Sequence, residues 1–116
     1  MTEPPSPPVD RSQRVLASGE GERPVTEDHR DLNPVTGQQK GYIVLSAAER
    51  AKGFVRPVRR TYTHTTCRTD TTMGLAIAET YARDPGFYTG TFCVHCRLHL
   101  PLTEFVWAGT TERVGS

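Results

Sequence analysis

The chain has 116 residues, 23% of them charged and 35% hydrophobic, with a formal net charge of +1 at pH 7. That size and balance predict one soluble domain. No apolar run approaches the length of a membrane span, and no hydrophobic segment near Met1 resembles a signal peptide, so neither a membrane protein nor a secreted one is expected.

Residues 1–40 read as a flexible arm. Pro4-Pro5-Ser6-Pro7-Pro8 is polyproline-like, and the stretch from Ser18 to Pro24 offers nothing to bury. This arm has five basic and seven acidic residues, against nine and six in residues 41–116, which form the expected domain. Asn33-Pro34-Val35-Thr36-Gly37 predicts a turn that opens the ordered part. Tyr42-Ile43-Val44-Leu45 predicts a short buried strand. Ser46-Ala47-Ala48-Glu49 has the form of a capping box, in which hydroxyl and carboxylate satisfy each other's backbone donors. The short helix that it starts is expected to run to about Lys52, with Gly53 as its left-handed stop.

Val58 to His64 alternates as a strand, with Val58, Arg60, Tyr62 and His64 on one side. Asp70-Thr71-Thr72 predicts the cap of a second, longer helix ending at Arg83-Asp84-Pro85-Gly86. Met73, Ala76, Ile77, Thr80 and Tyr81 follow helical spacing and form its core-facing stripe. Thr91-Phe92-Cys93 reads as a strand, Leu98, Leu100 and Leu102 alternate, and Glu104-Phe105-Val106-Trp107 reads as the best late strand. Ala108-Gly109-Thr110 then turns the chain toward a polar end.

The chemistry concentrates at two short motifs. His64 and Cys67 are separated by two residues, as are Cys93 and Cys96, and 25 residues lie between the pairs. A two-residue gap lets one tight turn aim both side chains at a single point. Two such turns supply one histidine and three thiolates, a complete set for a closed tetrahedral Zn2+ site that folds the protein and does no chemistry. One structural zinc per chain is expected, held by His64, Cys67, Cys93 and Cys96. About 75 ordered residues with few large aliphatics make a thin core, and domains this small usually need such a staple. His95, inside the second pair, and His99, three residues after Cys96, are alternative fourth ligands, with Cys96-x-x-His99 a compatible gap. His64 is preferred because Cys67 otherwise has no local partner, and His95 is expected to point between the ligands. Ligand-type spacing of three cysteines also favours a reducing compartment, the cytoplasm.

Other uses of the same residues are weaker. A thioredoxin-type dithiol at Cys93 and Cys96 needs a helix beginning there, and Pro101 follows closely. A c-type haem needs histidine directly after Cys96, where Arg97 stands. An iron–sulfur cluster could use the same ligands, whereas plain buried cysteines leave the matched spacing unexplained. No phosphate loop or nucleophile elbow is present, and Glu79 and Glu104 lie outside any deaminase motif, so no enzyme and no small-molecule substrate are expected. The alternative is nucleic-acid binding. Arg50, Lys52, Arg56, Arg59 and Arg60 fall close together, with Phe54 and Tyr62 interleaved, a mixture that can hold phosphates and stack on bases.

Three segments carry a resemblance: Gly53-Phe54-Val55-Arg56-Pro57-Val58-Arg59; Thr71-Thr72-Met73-Gly74 with Ala78-Glu79-Thr80-Tyr81-Ala82-Arg83-Asp84-Pro85; and Phe87-Tyr88 through Thr91-Phe92-Cys93 to Cys96 with Glu104-Phe105. From Leu32 to Ser116 the sequence resembles small uncharacterised proteins of bacteriophages and prophages. The resemblance implies an accessory protein acting on a host partner, a regulator, or a virion component, found in the host cytoplasm or the virion. The paired turns are also similar to zinc-ribbon and treble-clef proteins at the level of fold. The expectation is therefore a small α+β, zinc-ribbon-like domain with short strands, one short and one longer helix, and a disordered proline-rich arm. Its expected role is a non-catalytic interaction module for a macromolecular partner, more readily a protein or assembly than nucleic acid. A thiol redox protein is the third reading.

Overall fold

The computed structural model describes residues 8–18 and 21–116. Within them, two α-helices and eight short strands combine in three small antiparallel sheets, a mixed α+β architecture as expected. No helix among these residues is long and apolar enough to cross a membrane.

The first sheet has the order β2-β1-β3, from Gly21–Arg23, Arg14–Ser18 and Tyr42–Leu45. It corrects the flexible-arm expectation over much of residues 1–40, since β1 pairs with β3 from Arg14↔Leu45 to Ala17↔Tyr42. Composition misled because one residue, Leu16, is the fully buried anchor at 1% exposure, and polar contacts hold the rest. Glu49 accepts from the Asp10 N–H at 2.9 Å, Arg50 donates to Glu22 at 2.6 Å, and Arg83 donates to the Pro8 carbonyl at 3.3 Å. Most of the polyproline stretch, residues 1–7, lies outside the described residues, as do Gly19 and Glu20.

Helix α1 spans only Ala47–Arg50. Half of the predicted capping box forms: the Ser46 hydroxyl accepts from the Glu49 N–H at 3.3 Å, while the Ser46 N–H donates to the Gln13 carbonyl at 2.7 Å. The Glu49 carboxylate is thereby left for the interior. It is fully buried, receives Arg83 at 3.3 Å and pairs with Lys52 at 2.7 Å. That surrounding holds its carboxyl down at about 2, with the Lys52 ammonium as the largest cause and the Asp10 N–H next; burial opposes them and Arg83 adds to the lowering.

The second sheet, β5-β4-β8, joins Asp70–Thr72, Thr61–His64 and Phe105–Trp107. Asp70–Thr72 is thus a strand and not the expected helix cap. Its side chains pair across to β4: Thr63 donates to the Asp70 carboxylate at 2.6 Å, and the Thr61 and Thr72 hydroxyls meet at 3.0 Å. Two β-branched threonines suit that pleated surface. Helix α2 begins later, at Leu75–Arg83 behind Gly74. Its buried residues are Ala78, Thr80, Tyr81, Ala82 and Arg83, so the predicted stripe holds at Thr80 and Tyr81 while Ala76 and Ile77 are half-buried. Pairing of β4 starts at Thr61, and the predicted strand from Val58 is shortened accordingly.

The third sheet is the hairpin of β6 (Gly90–Cys93) and β7 (Leu98–Pro101). Between the sheets lies an aromatic core, with Tyr62 edge-on to Phe105 at 5.4 Å and Tyr81 edge-on to Trp107 at 5.6 Å. The expected polar C-terminal end instead turns back. Val114 is completely buried and its N–H donates to the Phe105 carbonyl at 3.1 Å, because β8 otherwise presents an open edge.

Candidate metal centre

Strand β4 ends at His64 and strand β6 ends at Cys93, and each runs into a tight turn. The first turn is closed by the Arg68 N–H on the His64 carbonyl at 2.7 Å, the second by the Arg97 N–H on the Cys93 carbonyl at 2.8 Å. Both turns lie against the aromatic core, so one ligand pair comes from the second sheet and the other from the hairpin.

The four predicted ligands converge. The ligand atoms of His64, Cys67, Cys93 and Cys96 all lie within 4.8 Å of one another, so the group could bind a metal ion. His64 Nδ1 stands 3.2 Å from Cys67 Sγ and 3.5 Å from Cys96 Sγ, and the Cys67 and Cys93 sulfurs are 3.6 Å apart. Around a tetrahedral ion with metal–sulfur bonds of about 2.3 Å and metal–nitrogen bonds of about 2.0 Å, ligand atoms stand roughly 3.5–3.8 Å apart. The donor set and its spacing therefore fit such an ion.

The histidine is fixed from behind. Its ring is 2% exposed, packs on Phe105 with centroids 4.8 Å apart, and places Nε2 at 2.9 Å from the Glu104 carboxylate. Nδ1 is then the nitrogen that faces the sulfurs, and a carboxylate on the far nitrogen orients the ring and raises its basicity. Nothing in the local sequence marks Glu104 as the partner of His64. It lies 40 residues from His64, and only the β4–β8 pairing of His64 with Phe105 brings it there.

Without a metal the thiols are unequal. Burial opposes ionisation of Cys67, yet the Thr69 hydroxyl and N–H, together with His64 and Cys93, carry it down to about 6. Burial, reinforced by Cys93 and Cys67, pushes Cys96 up to about 11. For His64, burial works against protonation, but Glu104 and Cys67 outweigh it and raise the group. A divalent cation would compensate the charge that neighbouring thiolates cannot share alone.

The alternative histidines lie elsewhere. His95 is exposed, and the His99 ring is held by the Tyr42 hydroxyl at 2.9 Å; neither belongs to the group. The predicted basic contact surface also divides. Arg50 is 8% exposed and pairs with Glu22 and Glu79, while Tyr62 is a 2%-exposed core residue that donates to the Phe92 carbonyl, so both are unavailable to a partner. Lys52 pairs with Glu49, and Arg59 pairs with Glu112 while lying over the Trp107 ring at 4.8 Å. Arg56 and Arg60 donate to backbone carbonyls, those of Ser116 and Met73 among them.

Compared with protein-family models, curated protein sequences and solved structures, the chain matches none.

Proposed function

We propose that the cluster holds one structural zinc per chain, and that the protein is a small zinc-ribbon-like interaction module without catalytic activity. The observation that carries this reading is the closed donor set: four protein ligand atoms within 4.8 Å, with the far nitrogen of the histidine already taken by Glu104. Four protein donors leave no coordination position for water or substrate, the arrangement of sites that fold proteins. Bound there, zinc would supply cross-linking, tying the sheet that carries His64 and Cys67 to the hairpin that carries Cys93 and Cys96. Its contribution, on the order of 10–16 kcal/mol in small zinc peptides, is comparable with the whole net stability of a small domain.

The redox reading finds little support, because the Cys93–Cys96 turn leads into β7 and no helix starts at it. A phage-encoded accessory, regulatory or virion role in the host cytoplasm or particle rests on the sequence resemblance alone. The test is native mass spectrometry with and without chelator, paired with circular dichroism. One zinc per chain, lost together with the fold, supports the reading. A folded protein without metal, two hydrogens lighter after oxidation, overturns it in favour of the dithiol.

A further inference from the structure

A second basic and aromatic surface lies outside the metal cluster, where the segment that composition assigned to an arm meets β3 and the start of the hairpin. A cleft of about 560 Å3 opens between β1, the 3-10 turn Glu27–Arg30 and the segment Phe87–Gly90 that leads into the hairpin. Arg11, Arg14 and Arg30 line it, and no aspartate or glutamate is among the described residues that do. Arg11 is held by Asp84 at 2.7 Å and lies over the Phe87 ring at 5.9 Å. Arg14 and Arg30 are exposed and have no ion pair among the described residues. Half-buried rings complete the lining: Tyr42, Phe87 and Tyr88, with His29 and His99 beside them.

Arg11 is already neutralised by Asp84, which leaves Arg14 and Arg30 as two cations on one concavity that an anion can join, and this accounts for half of the chemistry. The rings account for the other half. Tyr88 already packs against Tyr81 and Phe87, both at 4.8 Å, but Tyr42 and Phe87 are half-buried at the cleft. An acidic peptide would engage the arginines alone, whereas an unpaired base can stack on such rings while its phosphate takes the cation. The volume falls in the range of roughly 300–1,000 Å3 typical of ligand pockets, enough for a nucleotide unit of a flexible strand. We propose that this cleft binds single-stranded nucleic acid through Arg14 and Arg30, with Tyr42 and Phe87 as stacking surfaces. The proposal rests on the interaction-module reading and names its partner. It also moves the nucleic-acid surface from the 50–60 segment to the N-terminal sheet.

The experiment titrates zinc-loaded, full-length protein into short fluorescent oligothymidylate and oligouridylate and follows anisotropy over a range of salt. Zinc content and circular dichroism are measured on the same samples. Expected is binding that weakens with salt, at least ten-fold weaker binding by Arg14→Glu/Arg30→Glu, and a salt slope smaller by about 1.4, at roughly 0.7 per phosphate contact to a single strand. Arg56→Ala, on the other basic segment, should change affinity less than two-fold. Three outcomes overturn the proposal: no binding by folded, zinc-loaded protein; equal loss with Arg56→Ala; or competition by polyglutamate as effective as by unlabelled oligonucleotide. Competition by a free mononucleotide as effective as by the strand, per phosphate, also overturns it and assigns the cleft to a small molecule. Oligonucleotide binding by protein that is folded and zinc-free would leave the cleft standing and remove the zinc-module reading, so the two fail separately.

Discussion

Arg68 and Arg97 occupy the same place in two copies of one turn. Each follows the second residue of a ligand pair, each is left-handed with φ of 59° and 57°, and each N–H closes on the carbonyl of the first ligand residue. The sequence repeats accordingly, His-Thr-Thr-Cys-Arg and Cys-Val-His-Cys-Arg. A residue with a Cβ in this conformation is strained by about 1 kcal/mol relative to glycine. Arg97→Gly should therefore leave zinc-saturated stability unchanged or raise it by up to about 1 kcal/mol, whereas Arg97→Val should lower it by more than that. Urea unfolding distinguishes the two, and an equal loss for both would mean that the arginine side chain, not the turn, matters there.

The ligand assignment separates residues that lie side by side. Cys93→Ser and Cys96→Ser should unfold the domain, since a structural zinc held there would contribute on the order of 10 kcal/mol. His95→Ala, exposed and outside the cluster, should stay within about 0.5 kcal/mol of the parent. Equal damage from all three would rule out the assignment.

Glu104 should act through His64. Glu104→Gln is expected to weaken zinc roughly ten-fold to a hundred-fold while the apparent stoichiometry stays at one. Competition against a chromophoric chelator reads this directly. Unchanged affinity would show that the 2.9 Å contact does not orient the ring.

Leu16 tests whether the N-terminal sheet belongs to the fold. At 1% exposure, Leu16→Ala should destabilise by about 2–5 kcal/mol, as for other buried leucines. A flexible arm would tolerate the change with no shift in the denaturation midpoint.

Glu49, held at about 2 against an ordinary 4.5, should remain ionised wherever the protein is folded. The sign follows from the depressed value: its stabilising contribution is complete above 4.5 and disappears as pH falls through about 2. The 13C shift of its carboxylate should stay flat through the range in which a free glutamate titrates. A folded-state transition near 4.5 would mean that Lys52, the Asp10 N–H and Arg83 do not grip it.

What was legible in the sequence follows from range. The ligand pairs, the Tyr42–Leu45 strand and the Ser46 cap depend on residues a few positions apart, and local pattern located them. Glu104 beside His64, Glu22 beside Arg50 and Pro8 beside Arg83 join residues far apart in the chain, and nothing in either partner's neighbourhood announces them. Asp70–Thr72 misled for a related reason. An Asp-Thr-Thr run serves a helix cap and a strand equally well, and the β4 partner decided between them.

Gly37 carries a further consequence. With φ of 82°, it brings the Asn33–Gly37 turn so close to the second ligand turn that an added Cβ would sit 2.6 Å from the Arg97 carbonyl oxygen. The same hairpin lends His99 and Gly90 to the basic cleft. Metal turn, Asn33–Gly37 turn and cleft therefore share one short hairpin, the contact through which the two proposed sites would be coupled. By reciprocity, whatever factor a bound metal adds to the affinity of the cleft, a filled cleft returns to the metal.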